Sequence, residues 1–209
     1  MVSADRPSVS SRISCANLQM SAPSLHLAST SPRRKEILEA LGLSFSAAGV
    51  DVDERCIAGE SAEAMVLRLA EAKAKAARVD GPRIVLAADT AVVLDDDIFG
   101  KPQDKAAALD MLARLSGRTH SVLTGVAVHS AQGIRTALSK TEVRFREVGP
   151  DEALAYWQSG EPCDKAGAYA IQGRGGVFVA AISGSYSGVV GLPVFETTQL
   201  LREAGLSVL

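Results

Sequence analysis

Hydrophobic and polar positions alternate in blocks along most of this chain. Leu25-His26-Leu27-Ala28 reads as a short strand, after which Ile37, Leu38 and Leu41 recur at helical spacing and Gly42 marks a stop. A strand is predicted near residues 45–50 and a helix over about 61–77. The run Ile84-Val85-Leu86-Ala87-Ala88 is apolar throughout, which predicts a strand buried on both faces. Extended chain continues over 91–94, and Asp95-Asp96-Asp97 predicts a turn. A helix over 104–115 ends at Ser116-Gly117. Two long strands, 121–129 and 134–145, are joined at Gln132-Gly133. Pro150 opens a helix to Ser159, Gly175-Gly176 precedes a strand over 177–182, and Pro193 opens a last helix that Gly205 terminates. This order predicts an α/β fold with long, partly antiparallel strands.

Residues 1–23 break the pattern. They are serine-rich, poor in large apolar groups and aperiodic, so a disordered tail is expected there, with one domain over 24–209. The 209 residues can bury a sizeable core, and 47% hydrophobic with 22% charged composition is that of a soluble globular protein. A net charge of -2 argues against broad nucleic-acid or anionic-membrane binding, which need a basic field. No apolar run has the length to span a bilayer. Cys15, Cys56 and Cys163 are odd in number and widely spaced, which points to reduced thiols and a cytoplasmic setting.

Chemistry concentrates at the junctions. Ser29-Thr30-Ser31-Pro32-Arg33-Arg34 lies where the first strand hands over to the first helix. Pro32 suits the first helical position, with Ser31 as the cap. Two arginines then fall in the first turn, where the helix end is itself positive. Hydroxyls, free amides and two guanidinium forks suit a polyphosphate; the alternative is a capped helix with solvated arginines.

Asp89-Thr90 is expected at the C-terminal end of the most buried strand, where open α/β sheets hold ligands. A carboxylate there can bind a divalent cation or accept a proton, or it can simply cap a turn. Asp51, Asp53 and Glu54 could join Asp89 as oxygen ligands for a cation. Lys73 follows Val66 and Leu69 at i+7 and i+4, on the apolar stripe of its helix. Either it snorkels at the edge of the core or it reaches into a site. Lys101 and Lys165 sit in loops, as does Gln172 in a Gly-rich stretch. His26, His120 and His129 lack metal-ligand spacing and read as structural. No Walker-type P-loop, G-x-G-x-x-G fingerprint or nucleophile elbow is present.

Seven blocks in order resemble the Maf family of nucleoside triphosphate pyrophosphatases. They are Ala28-Ser29-Thr30-Ser31-Pro32-Arg33-Arg34, Ala88-Asp89-Thr90, Gly100-Lys101-Pro102, Leu115-Ser116-Gly117, Asp164-Lys165-Ala166-Gly167, Ile171-Gln172-Gly173 and Gly191-Leu192-Pro193. The resemblance implies a twisted mixed sheet flanked by helices with a deep central cleft, as in Maf and ITPase-like folds. It implies hydrolysis of a nucleoside triphosphate to the monophosphate and pyrophosphate, assisted by Mg²⁺ or Mn²⁺, in the cytoplasm. Asp89 then corresponds to the catalytic carboxylate, with Glu54 and Asp89 as metal ligands. Ser29, Arg33, Arg34, Lys73, Thr90, Lys101, Lys165 and Gln172 correspond to substrate residues. Asp89-Thr90 with the Lys165 and Gln172 blocks resembles the branch acting on dTTP and UTP, with Gln172 and Thr90 helping to choose the base. A homodimer is compatible with this reading. One alternative is a pyrophosphatase for modified nucleotides; another, from a second class, is a nucleotide-binding regulator of cell division without turnover, which would use the same cleft, and the intact Asp89 and lysines favour the enzyme.

Overall fold

The computed structural model describes residues 24–78 and 83–209; the expected tail, 1–23, lies outside them. Strand β1 (Ser24–Leu27) lies parallel to β2 (Phe45–Ala47) and to β3 (Arg83–Leu94). Antiparallel pairing then carries the sheet from β3 to β5 (Thr119–Ser130), β6 (Gly133–Phe145) and β7 (Val179–Ser183), while β4 (Asp97–Phe99) folds back on β3. The mixed α/β sheet expected from the sequence is therefore present.

The apolar run in β3 is buried because both of its faces are covered. Val85, Ala87 and Ala91 meet Val66, Leu69, Ala70 and Ala74 of helix α2 (Ala62–Ala76). Ile84, Leu86 and Ala88 face Leu38 of α1 (Pro32–Ala40) and Leu200 and Leu201 of the last helix (Val194–Glu203). Further along, Val92 and Leu94 pack with α3 (Lys105–Leu115) and α4 (Pro150–Gln158). Ser61 and Asp104 cap α2 and α3 by accepting from the amides of Ala64 and Ala107, so both helices start where the sequence places them. Gly125 of β5 lets α2 approach closely, since a Cβ there would lie 2.5 Å from the carbonyl oxygen of Val66.

Some boundaries differ from the sequence reading. Strand β2 stops at Ala47 because its partner β1 ends at Leu27, directly opposite. The turn after β3 uses only Asp95 and Asp96, with Asp95 at φ 54; Asp97 already pairs with Leu94 and begins β4. Val177 belongs to a 3-10 segment (Arg174–Phe178), and β7 starts at Val179. A short helix α5 (Tyr186–Val190), capped by Ser185, precedes the last helix, which is α6.

The edge of β3 positions the site. Strand β5 occupies one edge from Val85 to Val93, so β1 and β4 must share the other. Strand β1 pairs with residues 83–86 and β4 with 92–94. Between them, residues 87–91 have no strand partner on that edge among the described residues.

Candidate active site

A cleft of about 670 Å³ opens at this gap. That volume is in the range of small-ligand sites. Because side chains alternate along a strand, Asp89 and Thr90 leave β3 on opposite faces. Each meets a cation there, so the cleft straddles the bare strand edge.

On the α2 face, Lys73 reaches in from the apolar stripe. Its ammonium lies 2.6 Å from Asp89 Oδ1 and 2.5 Å from Glu54 Oε1, with only 13% of the side chain exposed. Of the two sequence readings of Lys73, the reach into a site is the observed one. The bond from Lys73 holds the Glu54 carboxyl below its ordinary pKa, against the opposing effect of partial burial, and the charges of Lys101 and Arg34 add to the lowering. Asp89 is not at a strand end, as expected from the sequence. Strand β3 runs on past it as an antiparallel partner of β5; the strand that ends at the cleft is β1. Asp51 and Asp53 stay outside the cleft, and Asp53 instead accepts the Arg55 guanidinium on the surface.

On the other face, Arg34 is held by three neutral acceptors. Its Nε donates to the Gly191 carbonyl at 2.8 Å, and its terminal nitrogens donate to Ser29 Oγ at 3.3 Å and Thr90 Oγ1 at 3.4 Å. Thr90 is braced in turn by Thr124, 3.0 Å away, whose hydroxyl donates to the Gly188 carbonyl. Burial draws the Arg34 pKa below its ordinary value, partly opposed by the charge of Asp89. Among the described residues no carboxylate lies within ion-pairing distance of Arg34. The guanidinium is thus fixed in place by neutral acceptors alone, with no direct ion pair among the described residues, which suits an incoming anion.

Ser31 occupies the N-cap position of α1, but its side chain makes no capping bond. Its amide instead donates to Ser29 Oγ. The first amides of α1 therefore lack the side-chain acceptor expected from the sequence and remain free for an anion. Ser29 Oγ already accepts two hydrogen bonds, which leaves its own proton available to donate.

Arg33, Lys101, Lys165 and Gln172 line the same cleft. The ammonium of Lys165 pairs with the Asp164 carboxylate beside it. Gln172 is exposed on its loop, and Lys101 is exposed just after β4. Apart from Asp51 and Asp53, the structure therefore gathers the site residues read from the sequence around one opening. Sequence reasoning missed the carbonyl of Gly191 as the anchor of Arg34. It also missed Thr124, which carried no local signal in the middle of a strand. Two of the histidines prove to be tied into the framework: His26 bonds Ser46, and His120 bonds Tyr169 at 2.8 Å.

The donor set is compatible with a divalent cation. Glu54 and Asp89 already converge on one positive charge, the ammonium of Lys73. No cluster of three or more metal-binding side chains occurs among the described residues. Two carboxylates completed by water and phosphate oxygens match the habits of Mg²⁺.

Fold and cleft together define an α/β protein whose binding site gathers cations around a carboxylate pair. Within that class the chain belongs to the family described as Maf-like protein, whose model matches residues 24–204. A protein of Methylococcus capsulatus named "dTTP/UTP pyrophosphatase" is 55% identical over 184 residues, spanning 87% of this chain and 91% of its own. One of the same name from Hahella chejuensis is 51% identical, spanning 88% and 94%. Among solved structures, a nucleoside-triphosphatase / dITP/XTP pyrophosphatase from Mycobacterium abscessus is 14% identical, with a TM-score of 0.40 over 87% of this chain and 95% of that one. No helix among the described residues is long and apolar enough to cross a membrane.

Proposed function

We propose that this protein hydrolyses dTTP and UTP to the nucleoside monophosphate and pyrophosphate. The observation that carries the proposal is the pairing of Asp89 with Lys73 on one side of the β3 edge and, on the other, Arg34 fixed by neutral acceptors. Relatives about half identical over most of both chains, named for this activity, support the choice of substrate.

The triphosphate lies across the bare edge of β3. Arg33, Arg34, Lys101 and the first amides of α1 bind its oxygens, and Ser29 donates a further bond. Asp89 accepts a proton from water as that water forms its bond to the α-phosphorus. The bond from the α-phosphorus to the bridging oxygen breaks, and pyrophosphate leaves with its charge spread over the cations. Such catalysis is mostly positioning and electrostatics. Glu54 and Asp89 would hold Mg²⁺ or Mn²⁺, which neutralises phosphate charge and makes water more acidic. Gln172 presents a carboxamide to the base. Its acceptor and donor complement the N3–H and O4 of thymine and uracil.

The test is pyrophosphate release from dTTP, UTP, dCTP, CTP, ATP and GTP with Mg²⁺. Turnover led by dTTP and UTP is expected. Tight binding of a nucleotide without turnover would instead identify a regulator.

A further inference from the structure

The loop that carries Gln172 is held from behind, on the side away from the cleft, by backbone hydrogen bonds. Behind it lies Glu161, in the 3-10 turn Glu161–Asp164, and behind that Tyr156 of α4. Neither residue lines the cleft, whereas Ala170, Ile171 and Gln172 do. Glu161 Oε1 accepts from the Tyr156 hydroxyl at 2.7 Å and from the Gly175 amide at 3.0 Å. Its Oε2 accepts from the Arg174 amide at 2.9 Å. The Tyr156 hydroxyl in turn accepts from the Ala170 amide at 3.1 Å. The carboxylate and phenol thus grip the loop backbone on both sides of residues 171–173.

The glycines of the loop fit this grip. A Cβ on Gly173 would strike the Glu161 carboxylate, and one on Gly175 would lie 2.5 Å from the Tyr156 hydroxyl. Tyr156 is only 5% exposed and stacks edge-on against Phe178, so the platform is anchored in the core. Partial burial works against the Glu161 charge, but the bonds from Gly175, Arg174 and Tyr156 and the charge of Lys165 outweigh it. The carboxylate is therefore ionised at neutral pH and acts as an acceptor only.

We propose that Glu161, seated on Tyr156, is a positioning residue for base selection: it fixes the loop of residues 170–173 so that this loop discriminates uracil and thymine from cytosine. The proposal rests on the reading that the Gln172 loop faces the base. Neither residue lines the cleft, so each acts through the loop and not on the substrate directly. A carboxamide can pair with cytosine as well as uracil if it is free to flip, so selectivity requires a fixed frame. Glu161→Gln keeps size and removes charge. It sets an N–H₂ against one of the backbone N–H donors, which displaces the loop.

The experiment compares kcat/KM for UTP and CTP in the wild type, Glu161→Gln, Tyr156→Phe and Gln172→Ala, well below each melting temperature. The expected result is a fall of roughly ten-fold in the UTP:CTP ratio for Glu161→Gln, the scale set by one misplaced hydrogen-bonding group. Tyr156→Phe, which keeps the backbone bonds to Glu161, shifts the ratio in the same direction by less. A uniform loss on both nucleotides with the ratio unchanged in Glu161→Gln would overturn the proposal, because a merely structural role predicts that. Should Glu161→Gln fail to fold, the ratio in Tyr156→Phe decides. If Gln172→Ala keeps the ratio while Glu161→Gln lowers it, Gln172 is not the reader and the framing role of Glu161 stands. If both keep it, both readings fall.

Discussion

Arg34 and Gly191 stand 157 positions apart in the chain, yet the Nε of one donates to the carbonyl of the other at 2.8 Å. That contact joins the first helix to the end of α5 and aims the guanidinium into the cleft. Arg34→Lys keeps the charge and loses the fork, so the Gly191, Ser29 and Thr90 anchors can no longer be satisfied together. The expected outcome is a loss of roughly 10²-fold in kcat/KM for dTTP, on the scale of a mispositioned catalytic cation. A solvated arginine would tolerate the change, and steady-state kinetics distinguish the two.

Asp89→Asn preserves shape and removes both charge and basicity. Loss of a positioned base costs about 10²–10⁴-fold in rate. The measurement is pyrophosphate release at saturating UTP, with folding checked by thermal melting. Activity within a few-fold of the wild type would remove Asp89 from the chemistry.

Lys73 holds the carboxylates of Glu54 and Asp89 together by standing between them. Lys73→Met keeps most of the apolar stem and deletes the ammonium. Two facing carboxylates then lack a counter-charge, so Mn²⁺ should bind the nucleotide-free protein roughly ten-fold more tightly than it binds the wild type. Calorimetric titration with Mn²⁺ measures this. An unchanged affinity would show that the two carboxylates do not share a cation.

His120 is 2% exposed, and burial pulls its pKa down to about 4 from an ordinary 6.5. The unfolded chain therefore binds a proton that the folded chain refuses. Full stability from this group is present above pH 6.5 and is lost as pH falls toward 4, at about 1.4 kcal/mol per pH unit. Denaturant midpoints at pH 7 and pH 5 test this. The wild type should lose more than a His120→Gln variant.

Much of this was legible in the sequence because it followed from local rules. Lys73 stood out as a charge on an apolar stripe, and Asp89 as a charge after five apolar residues. Two arginines in a first helical turn oppose the helix dipole, which marks them whatever the tertiary structure. The features that escaped depend on pairing across the fold. Periodicity puts Asp89 at a strand end because it does not reveal that β3 continues as an antiparallel partner of β5. Strand β4 was hidden in an acidic run that looks like a turn. Glu161 sits between a glycine and a proline in an ordinary-looking loop. Its signal was indirect, in Gly173 and Gly175, whose lack of a side chain makes sense only once their neighbour is seen.

Residues 87–91 of β3, which lack a strand partner on one edge among the described residues, have a consequence for solubility. A bare strand edge is a template on which another chain can add itself. Here strands β1 and β4 flank that stretch, and cationic side chains of the cleft stand over it. A polyphosphate is drawn to such a place, whereas a neutral strand from a neighbouring molecule would have to strip water from those charges to enter. On the function proposed above, the same cations that bind a small anion also guard the gap against edge-to-edge aggregation.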